Sequence, residues 1–231
     1  YIHERHIAGN KRQNLIKKAC LSIVDGIHPY IDRILNDLAD GSIPYEDNSG
    51  KLSILLESLS SASGMYMYDT GITAIHINTP AASSYVSGEM SKRNGLLVHE
   101  GQHALLWLKT GFSSSGKYTW LNEGLSVAAM DYLWGYYDIN GWLSKINNDV
   151  IIRNGTSLIY DSYRNSTVQD YSMQYLFVRY LASQATKGTN PMEFFKQIYK
   201  INAAGKTAEE FINELTSKVD GLKGRTFKEL L

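Results

Sequence analysis

Cysteine is almost missing from this chain. Cys20 is the only one in 231 residues, so no intrachain disulfide can form, and its place in an apolar helical run makes it a small core residue rather than a reactive thiol. No apolar run reaches eighteen residues, which leaves no segment long enough to cross a bilayer as a helix. A basic-then-apolar leader at Tyr1 is also missing, so the chain as written is expected to be soluble and without a signal peptide, compatible with earlier removal of one. Charge of one sign is not in excess: Lys plus Arg and Asp plus Glu are both 23, a formal net charge of +0. No basic surface therefore argues for nucleic acid or anionic lipid as a partner. There is no Asp-x-Asp-x-Asp-Gly loop for calcium, and no internal repeat or low-complexity linker. A 43% hydrophobic content suffices for one large core or a compact pair of lobes around a cleft.

What the chain does have is a dense motif. Leu96 to Leu108 is apolar nearly all round, as in a buried helix, and encloses His99-Glu100-Gly101-Gln102-His103. Histidines four apart point the same way off a helix and can reach one metal, while Glu100 is turned about 100° from His99, an offset suited to a base rather than a ligand. Alone, such a short pattern can be an ordinary helix face with two histidines. Trp120-Leu121-Asn122-Glu123-Gly124-Leu125-Ser126 adds a carboxylate at the start of a second apolar helical stretch. Two His and one Glu form a known catalytic zinc set, which keeps a fourth position for water. One Zn²⁺ held by His99, His103 and Glu123 is the expected cofactor.

Through this His-Glu-x-x-His pattern, the nineteen-residue gap and Glu123, the sequence resembles the gluzincin metallopeptidases, the thermolysin-like tribe. Within it, Asn-Glu-Gly-Leu-Ser and the stretch Asp170 to Leu181 look most like the hyicolysin family of bacterial metallopeptidases, over about Gly50 to Tyr199. The resemblance implies an α+β, zincin-like catalytic domain: a small N-terminal mixed sheet, two zinc-ligand helices and an all-helical C-terminal lobe. It also implies a secreted or cell-surface enzyme, and a chain that is an excised domain fits the same picture. Residues 1–140 are expected to form the N-terminal lobe, and 141–231 the helical lobe closing the cleft, with a soft boundary near Asn140.

Along the chain, Ile7 to Ala39 shows a helical period interrupted at Pro29. His3, His6 and His28 have no neighbour at metal-ligand spacing and read as surface or capping residues. Lys51 to Leu56, Gly64 to Tyr68 and Thr73 to Asn78 read as strands. By the resemblance, the last would be the cleft edge on which substrate lies extended, with His76 facing substrate or solvent and not the metal. Ser91 is a plausible N-cap for the zinc helix, Thr110-Gly111 its end, Gly111 to Lys117 a surface loop, and Thr119 a possible N-cap for the second helix. Gly124 is expected to allow backbone to approach the active site. Val127 stands where thermolysin-like members carry an aspartate that orients a zinc histidine, so the outer partners of His99 and His103 stay unassigned. The aromatics Trp134, Tyr136, Tyr137 and Trp142 read as core or cleft wall, and Tyr171 to Ala185, Pro191 to Asn202, Thr207 to Lys218 and Thr226 to Leu231 as helices.

The expected reaction is hydrolysis of peptide bonds in a protein or peptide substrate by a zinc-activated water, with Glu100 as general base and then acid. By the resemblance, Tyr171 stabilises the oxyanion, with Tyr175 on the same helix face as second choice, and His76 or Tyr163 after these. A packed tyrosine with its hydroxyl at the surface is an equal alternative for Tyr171. Endopeptidase is the favoured activity, because no Gly-x-Met-Glu-Asn anchor for a free amino terminus precedes His99. A zinc aminopeptidase, a zinc hydrolase acting on other bonds, and an inactive zincin-fold binding or adhesin module are the alternatives.

Overall fold

The computed structural model describes residues 32–34, 36, 53–57, 64–67, 74–78, 90–112, 119–134, 158, 168–187 and 190–231, which are mostly helical. Three short strands, β1 (Ser53–Glu57), β2 (Gly64–Met67) and β3 (Ala74–Asn78), lie in the order β1-β3-β2. β3 runs parallel to β1 and antiparallel to β2. This corrects the expectation that Thr73 to Asn78 is an edge: β3 is paired on both sides, so its backbone groups are already engaged. The helical period over Ile7 to Ala39, the aromatics Tyr136, Tyr137 and Trp142, the loop residues 113–118 and the boundary at Asn140 lie outside the described residues, apart from residues 32–34 and 36.

The zinc-type motif falls on α1 (Met90–Thr110), and the second motif on α2 (Thr119–Trp134). Ser91 is therefore inside the first turn of α1 rather than capping it, and Thr119 opens α2 as its first residue. Gly111, at φ 67°, ends α1 in the left-handed conformation that lacks a steric cost for glycine, and its N–H bonds back to the Trp107 carbonyl.

α1 is enclosed on two sides. A Cβ on Gly101 would sit 3.1 Å from Cδ1 of Ile34 and 3.9 Å from Cδ1 of Ile75, so this glycine lets β3 and Ile34 pack closely on the back of the motif. On the other side α2 runs antiparallel to α1: Gly95 lies against Met130, and Gln102 meets Ser126. Behind α2 lies α3 (Val168–Thr186), followed by α4 (Pro191–Ile198), α5 (Ala208–Lys218), a 3₁₀ turn (Asp220–Leu222) and α6 (Phe227–Leu230).

Local sequence accounts for the later helix starts. Asn190 accepts from the Met192 N–H ahead of Pro191, and Thr207 with Glu210 forms a capping box. Glu229 reaches back to the Thr226 N–H at 2.6 Å. One apolar core joins all these helices, with Trp120 stacked on Phe227 at 5.9 Å and Phe112 against Phe211 at 5.1 Å between centroids. The Ala203 N–H bonds to the Thr110 carbonyl at 2.8 Å, tying the end of α1 to the segment before α5.

Candidate metal centre

Antiparallel packing of α1 on α2 brings three side chains to one point. His99 Nε2 lies 3.1 Å from His103 Nε2, and Glu123 Oε2 lies 3.1 Å from His99 Nε2 and 3.6 Å from His103 Nε2. The side chains retain only 12 to 17% exposure. Among the described residues, this is the group of His, Cys, Asp or Glu whose ligand atoms converge, all within 4.8 Å of one another.

The chemistry of this donor set fits a cation. Three ligand atoms at about 2.0 to 2.2 Å from a tetrahedral ion would stand about 3.3 to 3.6 Å apart, close to the three edges observed. Glu123 Oε2 is buried with no hydrogen bond of good geometry, and a buried carboxylate oxygen needs a positive partner. Without metal that partner is His103. Its burial opposes the charge, yet the Glu123 carboxylate, with smaller help from Glu100 and Asn122, lifts its pKa to about 9. Burial likewise pushes Glu123 up, but the two imidazoles hold it well below the usual carboxylate range. The same three-residue group can thus hold a proton or a metal ion.

Glu100 is 5% exposed, next to His99 on α1, and adds negative field at His103. It is not in the converging group, in keeping with its angular offset from the two histidines. His76 is buried on β3 and is not in the group either. Tyr171 lies on α3, half-buried against the core, and Tyr163 is outside the described residues. Tyr175 is committed elsewhere: its hydroxyl donates to Asp131 Oδ2 at 2.9 Å and accepts from Arg179 Nη1 at 2.9 Å, and Arg179 pairs with Asp131 at 3.0 Å. Asp131 is two turns along α2 from Glu123, about 12 Å at 1.5 Å per residue.

Gly124 has a different partner from the one expected. A Cβ there would sit 2.8 Å from the Gln174 carbonyl oxygen, so the close approach is of α3 backbone to α2 rather than of backbone to the reacting centre. Sequence reasoning also missed Ser126 and Asn122, which lie beside His103, and Gln102, which meets Ser126; they are 0%, 4% and 0% exposed. Polar residues facing inward on two otherwise apolar helices were the available signal.

No protein-family model matches the chain. It is 27% identical over 195 residues to the neutral metalloprotease ShpI of Staphylococcus hyicus, an alignment covering 75% of this chain and 43% of that protein. The chain thus spans less than half the length of this relative, and the similarity is weak and partial. It is nonetheless to a metalloprotease, in a chain whose His99, His103 and Glu123 form a group able to hold a metal. No described helix is long and apolar enough to cross a membrane.

Proposed function

We infer that this chain is a zinc-dependent endopeptidase of the zincin type, in which His99, His103 and Glu123 hold the metal. The observation that carries this reading is the convergence of the three ligand atoms, with edges of 3.1, 3.1 and 3.6 Å, from two helices that each bring the rest of the motif with them. Similarity to a neutral metalloprotease supports a peptidase over other hydrolases, and the motif wording supports the thermolysin-like tribe. When bound, zinc acts as a Lewis acid that polarises the scissile carbonyl and makes water a better nucleophile.

The remaining work falls to side chains. Glu100, one residue after a ligand and outside the converging set, takes a proton from the attacking water in this reading and returns it to the leaving amine. Tyr171 is assigned to donate a hydrogen bond to the oxyanion. Residues 1–140 and 141–231 are read as two lobes, with α3 as the part of the second that backs α2. Secretion or display at the cell surface belongs to the same reading by resemblance.

Zinc content measured together with cleavage of casein tests metal and peptidase at once. Internal cleavage of a peptide with a blocked amino terminus separates an endopeptidase from an aminopeptidase. Zinc without any hydrolysis would instead support the inactive binding module, against which an intact Glu100 argues.

A further inference from the structure

Two of the three ligands come from α1 and the third from α2, so the centre depends on how these helices are registered against each other. Most other buried residues of the pair, Leu106, Leu125 and Ala129 among them, are apolar, and apolar contacts are non-directional. A slip of about 1 Å between the helices would disturb them little, yet metal–ligand distances hold only to about 0.2 Å. A directional contact is needed to fix the register.

Ser126 and Gln102 supply one. Ser126 is in the middle of α2, where a serine hydroxyl commonly bonds back to the carbonyl four residues earlier, but its Oγ donates across the interface to Gln102 Oε1 on α1 at 2.7 Å. Both residues are wholly buried. Ser126 follows Glu123 by three residues, about 4.5 Å along the axis, and Gln102 precedes His103 directly, so the bond stands within a turn of all three ligands. The Ser126 oxygen also lies 3.0 Å from His103 Nδ1 and 3.5 Å from Nε2. Distances so alike put it against the face of the ring, which makes this a packing contact and not a hydrogen bond. Stability is not what the pair supplies. Gln102 Nε2 is enclosed with no hydrogen bond of good geometry, as is the nearby Tyr199 hydroxyl, and a half-satisfied buried polar pair is no more stable than an apolar one of the same size.

We propose that the hydrogen bond from Ser126 to Gln102 pins the register of α2 against α1 and so sets Glu123 opposite His99 and His103, which makes both members positioning residues of the metal centre. This rests on the metal-centre reading above. Because the bond acts between helices, it matters to the metal only while each helix provides a ligand.

The test is zinc affinity by chelator competition at fixed pH, on the full chain, with the unfolding temperature of the metal-free protein measured in parallel. Ser126→Ala and Gln102→Met should each lower the unfolding temperature, since each leaves a buried polar group behind, and weaken zinc binding about tenfold. The double variant removes both partners, so its unfolding temperature should return towards the parent while zinc binding stays about tenfold weaker. In a Glu123→Ala background both remaining ligands are on α1, and the same substitutions should cost no further affinity, read by direct titration because two imidazoles hold zinc weakly. Parental zinc affinity in the double variant would overturn the proposal, as would an equal loss with and without Glu123. Should the double variant fail to regain stability, the Glu123→Ala comparison decides. A parent that binds zinc alongside Ser126 and Gln102 variants that bind it equally well sinks this inference alone, whereas a parent that binds no zinc sinks the metal centre as well.

Discussion

A Cβ on Gly124 would sit 2.8 Å from the carbonyl oxygen of Gln174 and 2.9 Å from its carbonyl carbon. Both are backbone atoms, so no side chain can swing aside, and Gly124 sets how closely α2 rests on α3. Because Gly124 follows Glu123, the depth of that seat also fixes where the carboxylate stands. Gly124→Ala should destabilise the protein by about 1 to 3 kcal/mol, the usual range for overpacking, and weaken zinc binding as Glu123 is displaced. Gly95→Ala is the control, since its nearest neighbour is the flexible end of Met130 at 3.2 Å. Thermal unfolding with and without zinc measures both effects. An alanine at position 124 with parental stability would contradict the packing argument.

On the proposed reading Glu100 is the base and not a ligand, so Glu100→Gln should remove activity by about 100- to 10,000-fold while zinc stays bound. Metal analysis beside kcat separates the roles, and loss of zinc from this variant would move Glu100 into the ligand set.

Removing any ligand should have the opposite signature. His99→Ala, His103→Ala and Glu123→Ala should each lower zinc occupancy sharply, because two remaining ligands hold the ion poorly, and chelation of the parent should abolish hydrolysis until zinc is restored. Full zinc content in Glu123→Ala would take that residue out of the site.

The metal-free centre should respond to pH in a defined direction. His103 is raised to about 9, so the stability from its protonated form is complete below the ordinary value of 6.5 and is lost as pH rises through about 9. Glu123 is depressed, so its contribution is present above the ordinary 4.5 and is lost only well into acid. The chelated protein should therefore lose thermal stability between about pH 6.5 and 9, at roughly 2 to 4 °C per kcal/mol. Zinc must displace the His103 proton, so its apparent affinity should climb about tenfold per pH unit until about pH 9. A pH-independent affinity over that range would mean that His103 is neutral before metal arrives.

The parts legible in the sequence are those set by local rules. Histidines at helical spacing, a glycine ending α1, and a helix starting at Thr207 depend only on near neighbours, and the elements carrying them formed close to where periodicity placed them. What failed depends on tertiary packing. That β3 is flanked by β1 and β2, that Gly124 meets Gln174, and that Ser126 turns to Gln102 are pairings between distant segments, and no spacing along the chain encodes them. Tyr171 and Tyr175 show the same limit. One turn apart on one helix face, they ranked first and second by resemblance alone, and the Asp131 and Arg179 contacts of Tyr175 are what the structure adds.

That distinction shapes the last prediction. The Tyr175 hydroxyl lies between Asp131 and Arg179, both 2.9 Å away, and burial raises its pKa further. It is a structural donor on the α2 to α3 interface. Tyr175→Phe removes one hydrogen bond from a buried carboxylate and should lower stability by about 1 to 3 kcal/mol, with kcat nearly unchanged in the folded fraction. Tyr171, half-buried one turn earlier on α3, is the residue assigned to the oxyanion. Such a donor acts mainly in the transition state, so Tyr171→Phe should keep the fold and KM while kcat falls by roughly 100-fold. Comparing kcat, KM and unfolding temperature for both variants decides between them. A kcat loss confined to Tyr175→Phe would require the Asp131 network to open during the reaction, and parental kcat in both variants would place the donor outside α3.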